Sequence, residues 1–171
     1  MNPMQEIRIE KLTLNIGTGG PGERMEKALL LLKNLTGMKP VQTTTKKRIA
    51  GWGIRPGLSI GCKVTVRGKK AEEFLERLLD AKNKTLKSDN FDKNGNFSFG
   101  ISEYLDIPGA EYDIKVGIIG FEVAITLSRP GFRISKRRIH RKKLPNKIRI
   151  TKEEAINFIT TKYPIQVVQE E

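Results

Sequence analysis

Residues 39–70 read KPVQTTTKKRIAGWGIRPGLSIGCKVTVRGKK, and the second half of that stretch sets the fold. From Leu58 to Arg67 apolar and polar residues alternate without a slip, the pattern of a half-buried strand. Leu58, Ile60, Cys62, Val64 and Val66 are expected to face a core, and Ser59, Gly61, Lys63, Thr65 and Arg67 to face outward. The first half, residues 46–57, is a glycine- and base-rich loop that carries the only tryptophan of the chain. No Asp or Glu occurs from Lys27 to Ala71, although a solvated face normally mixes both signs. A basic loop that feeds a strand with a small, basic, hydroxylated outer face calls for a polyanionic partner.

The charge of the whole chain agrees. It has 171 residues, a net charge of +13 and a pI of about 10.0, which points to nucleic acid or, less often, an anionic membrane surface. The basicity is not spread evenly. Of 32 Lys and Arg, eleven lie in Lys27–Ala71 and eleven more in Val123–Lys152, and neither segment holds an acid. The other ten share the rest of the chain with all 19 acids. Nothing approaches a membrane-spanning apolar run, and the start MNPMQEIRIEK lacks the apolar centre of a secretion signal. The single cysteine, Cys62, falls on the apolar side of its strand and reads as a buried thiol of a reducing compartment.

Around the central strand the chain supplies the remaining layers. Ile7–Ile16 reads as a strand whose apolar phase changes near Glu10 and Lys11, after which Thr13 and Asn15 point outward. Gly17–Gly22 turns into a helix, with Pro21 suited to its first position, Met25, Ala28, Leu29, Leu32 and Leu35 on its apolar face, and Gly37 at its end. Val41–Thr45 is a short strand. A second helix from Lys69 to about Lys82 buries Ala71, Phe74, Leu75, Leu78 and Leu79. Lys84–Gly95 is polar and turn-rich. Asn96–Tyr104 alternates again, Ile107–Gly120 is mostly loop, and Phe121–Ser128 alternates with Glu122, Ala124, Thr126 and Ser128 outward. Residues 129–149 carry ten Lys and Arg but too few regular apolar positions to bury a core, and read as an extended, partly unstructured basic arm. Thr151–Glu154 has the form of a capping box that opens a short last helix, which stops before Pro164.

These elements predict a single α+β domain over residues 1–171, a mostly antiparallel sheet with helices packed on one face. The open face then shows Thr13, Asn15, Lys63, Thr65, Arg67, Ser98, Gly100, Ser102, Ala124, Thr126 and Ser128. Small hydroxyls let a rigid surface approach closely and offer hydrogen bonds to phosphates, riboses and base edges. The bland alternative is that Thr and Ser stand there for strand propensity alone. Trp52, between two glycines on the basic loop, either stacks on a base or ribose or packs on Ile49 or Ile54 to stiffen the loop.

Enzymatic readings fare poorly. Gly17, Gly19 and Gly22 have the dinucleotide-binding spacing, but the acid expected about 20 residues on is missing from the whole of 27–71. A P-loop needs lysine where Glu23 stands. One His and one Cys, in regions of opposite character, make no zinc set, and His140 reads as one more polar residue of the arm. No cofactor is expected. The other readings are a stand-alone basic RNA-binding chaperone and, further off, a nucleotide-dependent enzyme.

At this point several motifs, in order and across nearly the whole chain, carry a resemblance. Lys11-Leu-Thr-Leu-Asn-Ile-Gly17, Gly37-Met-Lys-Pro40, Ala50-Gly-Trp-Gly-Ile-Arg55, Ile60-Gly-Cys-Lys-Val-Thr-Val-Arg-Gly68 and Asn90-Phe-Asp92 with Gly95-Asn-Phe-Ser-Phe-Gly100 resemble the universal L five family of large-subunit ribosomal proteins. Arg129-Pro-Gly-Phe132, the basic stretch after it and Thr151-Lys-Glu-Glu-Ala155 resemble its archaeal and eukaryotic branch. The resemblance implies a structural, non-enzymatic protein of the cytoplasmic ribosome. It would bind 5S rRNA and tie it into the central protuberance, with a loop reaching the P-site tRNA and the small-subunit head. The implied 5S contacts are Asn15 and Thr65, on the outer face already described with Thr13, Lys63 and Arg67; a third is at Met38, where the family usually carries Gln and this chain has no side-chain amide. Lys46, Lys47, Arg48, Trp52 and Arg55 fall on the reaching loop. Arg129, Arg133, Lys136, Arg137, Arg138, Arg141, Lys142 and Lys143 form the arm expected on large-subunit rRNA. The implied partners are thus 5S rRNA, large-subunit rRNA, P-site tRNA and neighbouring ribosomal proteins, including one of the small-subunit head.

Overall fold

The structure, a computed structural model, describes residues 2–168. In chain order the elements are β1 (Arg8–Gly17), α1 (Glu23–Thr36), β2 (Val41–Thr44), β3 (Ser59–Val66), α2 (Lys69–Ala81), β4 (Thr85–Lys87), β5 (Phe97–Ile101), β6 (Phe121–Ser128), α3 (Arg133–Lys136), α4 (Lys152–Lys162) and β7 (Gln166–Val168). Five strands form a mostly antiparallel sheet in the order β2-β3-β1-β6-β5, so the expected α+β class is what is found. The chain divides into two compact units.

One unit comprises Thr13–Val66 and Phe99–Ala124. Its interior holds Leu14, Ile16, Cys62, Val64 and Val66, each almost fully buried, which is the inward parity expected for β1 and β3. Burial also pushes the Cys62 thiol up to about 11, so it stays a protonated, inert packing group. α1 lies against β3. It begins one residue after Gly22, so Pro21 stands outside the helix rather than at its first position. Its buried side chains are Met25, Ala28, Leu31 and Leu32, while Leu29 and Leu35 are only half-buried. Gly37 ends it in the left-handed conformation, φ 66°, and its N–H reaches the Lys33 carbonyl at 2.8 Å. The loop after Tyr104 is pinned by buried Ile107 and Val116 and by the Tyr104 hydroxyl, which accepts from the Asp113 N–H at 3.0 Å.

The other unit comprises Met1–Leu12, Arg67–Ser98 and Ile125–Glu171. α2 buries the five residues its spacing predicts: Ala71, Phe74, Leu75, Leu78 and Leu79. The capping box at Thr151 and Glu154 is formed in both directions and opens α4. Lys84–Gly95 is more ordered than its polar composition suggests. It contains β4, which pairs in parallel with β7 through Thr85–Gln166, Leu86–Val167 and Lys87–Val168, and it buries Leu86 and Phe91. Phe91 stacks on Phe97 with ring centroids 5.1 Å apart.

Tyr163 is buried at the end of α4, and its hydroxyl finds no partner among the described residues. Burial, with Glu72 and Glu76 nearby, pushes that hydroxyl up to about 12. A buried, unsatisfied O–H costs free energy that a ring without it avoids. Tyr163→Phe is therefore expected to be neutral or to raise stability by up to about 1 kcal/mol. A denaturant midpoint that falls clearly below that of the parent would contradict this.

Candidate nucleic-acid interface

The candidate interface rests on the outward parity of β1 and β3. The N–H groups of Thr18 and Gly19 both donate to the Ile60 carbonyl, at 2.9 and 3.1 Å, which ties the end of β1 to the start of β3. The two strands therefore run in opposite directions, side by side in the sheet. Their inward side chains are buried, except that Ile60, like Leu58 just before β3, is only half-buried; Thr13, Asn15 and Thr65 are left half-exposed and Lys63 exposed on the other side. Four of the expected contact residues thus share one face. Gly61 belongs to the same outward parity yet is buried, because Thr43 on β2 pairs with it and the β1 backbone passes close above it.

The bonds to Ile60 also dispose of the dinucleotide reading in physical terms. A phosphate cradle at Gly17–Gly22 would need the loop N–H groups free, and two of them are already committed to the Ile60 carbonyl.

The face is not free of acid. Glu122, on the outward parity of β6, is exposed, and its Oε2 accepts from the Asn15 Nδ2 at 3.2 Å. The acid-free pattern holds for β3 but not for the strands beyond it, since β1 carries Glu10 and β6 carries Glu122. In the other unit Glu10 accepts from Lys136, and Arg67 lies 3.9 Å from Glu10. Arg67 and Lys136, both expected on RNA, thus share one carboxylate of the protein itself.

Residues 46–57 are a hairpin rather than an irregular loop. They prolong the β2–β3 pair, with Thr45 and Leu58 bonded at 2.9 Å. A tight tip is closed by two opposed bonds between Ile49 and Ile54, at 3.0 and 3.1 Å. Gly53 takes the left-handed conformation, φ 65°, that the reversal requires. Ile54 is buried and anchors the tip. Trp52 is 76% exposed, so it is displayed by the tip and does not serve as its internal prop. Lys46, Lys47, Arg48 and Arg55 are all exposed around it. Met38, just past α1, is also exposed, and its N–H is taken by the Thr36 hydroxyl at 3.2 Å.

The arm is better organised than expected. Arg129 is 10% exposed at its side chain; its guanidinium donates to the Ile148 carbonyl at 3.2 Å and to Glu154 at 2.8 Å. Burial alone would raise the Glu154 carboxyl, but the Thr151 backbone N–H and Arg129 hold it below the ordinary value. Arg129 therefore closes the base of the arm and is not presented outward. α3 forms a single turn, and Arg137 Nε donates to the His140 carbonyl at 2.8 Å, with His140 at φ 52°. Arg133, Arg137, Arg138, Arg141, Lys142 and Lys143 remain exposed.

An open groove of about 1030 Å³ in the same unit is lined by Glu6, Arg8, Glu72, Arg129, Glu154 and Lys162 among others. Its three carboxylates are each paired, with Arg8, Lys162 and Arg129 respectively. The groove's acids are thus held by its own bases, and Lys147 adds a further cation to the lining.

Comparison with known proteins agrees with this arrangement. Residues 2–55 match the ribosomal protein L5 family, and residues 59–160 match the C-terminal part of the same family. The chain is similar to the "Large ribosomal subunit protein uL5" of Sulfurisphaera tokodaii, 49% identical over 170 residues, covering 99% of this chain and 96% of that one. The protein of the same name from Nanoarchaeum equitans is 50% identical over 168 residues, covering 98% and 99%. That of Methanobrevibacter smithii is 44% identical over 170 residues, covering 99% and 100%. With both halves of the family matched in order, and relatives aligned along nearly their full length, the chain belongs to the L5 family of ribosomal proteins, which are structural and not enzymes.

Proposed function

We propose that this protein is a constituent of the large ribosomal subunit that binds 5S rRNA through the outward side of β1 and β3 and helps attach it to the central protuberance. Thr13, Asn15, Lys63 and Thr65 are the docking residues, with Arg67 and the backbone at Met38 at the margins. The hairpin tip, with Lys46, Lys47, Arg48, Trp52 and Arg55, reaches the P-site tRNA and the small-subunit head. The exposed part of the arm neutralises phosphates of large-subunit rRNA.

The observation that supports this most is the composition of the β1–β3 face. Two threonines, an asparagine and a lysine stand side by side on adjacent strands, bordered at Asn15 by Glu122 of β6. A surface of that kind admits a folded RNA closely and bonds to it by shape. The test is a titration against archaeal 5S rRNA and against a tRNA, each at low and at moderately high salt. Binding to 5S that survives the salt while tRNA binding collapses is the expected result, and Asn15→Ala with Thr65→Ala should then weaken 5S binding with little change in salt slope. If both RNAs are lost together, charge is the whole of the interaction and the face has no role.

A further inference from the structure

The hydrogen bond between Asn15 and Glu122 constrains what the docking face is able to read. A carboxylate accepts hydrogen bonds and does not donate them. The end of the Asn15 amide that meets Glu122 is therefore its NH₂, and the bond of 3.2 Å fixes it there. The amide carbonyl is turned away from Glu122, and it is the end left for a partner. Beside it stands the remaining acceptor capacity of the exposed Glu122 carboxylate. On the other flank of β1, strand β3 presents Lys63 and Thr65.

The face is thus split by chemistry along its width. The β3 flank, with a cation and a hydroxyl, suits a phosphate. The β1–β6 flank, with an amide carbonyl and a carboxylate, repels a phosphate and suits a hydrogen-bond donor. Folded RNA exposes two kinds of donor there, ribose 2′-hydroxyls and the exocyclic amino groups of base edges. We infer that the Asn15–Glu122 pair is an acceptor site that takes an O–H or N–H donor of the RNA, which makes Glu122 a specificity-determining residue of the interface. This rests on the proposed docking of 5S rRNA on β1 and β3.

The sign of one substitution tests it. Glu122→Gln removes a negative charge from an RNA-binding surface and, by charge alone, should tighten binding to every RNA. It also frees the Asn15 amide to turn over, since glutamine both donates and accepts. The expected result is that 5S binding weakens about tenfold, as for one charge-assisted hydrogen bond, while binding to a tRNA is unchanged or tighter. Because Glu122 is exposed, an unchanged melting temperature serves as the control for folding. Repeating the comparison with 5S rRNAs that carry, at single positions, either 2′-deoxyribose or a base without its exocyclic amino group identifies the donor. The source is the substitution that abolishes the difference between parent and variant. A Glu122→Gln variant that binds 5S as well as the parent or better overturns the inference, as does a difference that neither substituted RNA removes. Failure of the docking itself is distinguishable, because then the parent protein would show no preference for 5S over tRNA.

Discussion

Replacing Arg137, Arg138, Arg141, Lys142 and Lys143 with glutamine is expected to flatten the salt dependence of rRNA binding by about 4 in the slope of log K against log salt, at about 0.7–0.9 per phosphate released. Over a fourfold rise in salt the parent should then lose a few hundredfold more affinity than the variant. The reason is local. These five side chains are exposed, and the arm that carries them holds no acid to offset them. Their work is counterion release, which has no sequence preference, so tRNA and 5S binding should weaken by similar factors. Folding should be indifferent, since exposed substitutions usually shift stability by less than about 0.5 kcal/mol. Arg129 and Lys136 are left out of the set because Glu154 and Glu10 hold them. A slope that stays at the parent value would show that the arm does not lie on phosphates.

A large loss of stability is expected on substitution of Gly61. A Cβ placed there would lie 2.6 Å from the Ile16 carbonyl oxygen and 3.0 Å from the Thr43 hydroxyl. The first of these is backbone in the middle of the sheet and is unable to swing aside. Relief requires β1 and β3 to separate, which strains the bonds from Thr18 and Gly19 to Ile60. Gly61→Ala should therefore cost about 1–3 kcal/mol, or more if the ladder opens. Chemical denaturation measures it directly. The same opening would displace Asn15, so 5S binding should fall with stability. A variant with an unchanged denaturation midpoint would mean that the sheet is looser here than its hydrogen bonds indicate.

What could be read in the sequence, and what escaped, divides on physical lines. β3, β6 and α2 are long enough for a period to show, and apart from Gly61 on β3 their buried residues fall where the alternation or the helical spacing puts them. α1 carries the run Leu29-Leu-Leu-Leu32, in which every phase is apolar; packing against β3 selects Leu31 and Leu32 and leaves Leu29 half-buried. β4 and β7 have three residues each, too few to express a period, and their pairing joins positions some eighty residues apart. Glu122 was visible on the outward parity of β6, but its meeting with Asn15 depends on β6 lying next to β1, an order that alternation alone does not encode. The same limit applies to Arg129. In a run of ten cations, sequence does not tell which one turns inward to a carboxylate 25 positions on.

The closure of the arm by Arg129 has a consequence for how such a chain can vary. Because one guanidinium joins the Ile148 carbonyl and the start of α4, the excursion begins and ends at nearly the same place. The entropy of closing a loop rises only slowly with its length, so residues can be added to or removed from the excursion at little cost to the scaffold beneath it. Its grip on RNA can thus be retuned charge by charge, while the strands and helices that fix the docking face inherit no new demand.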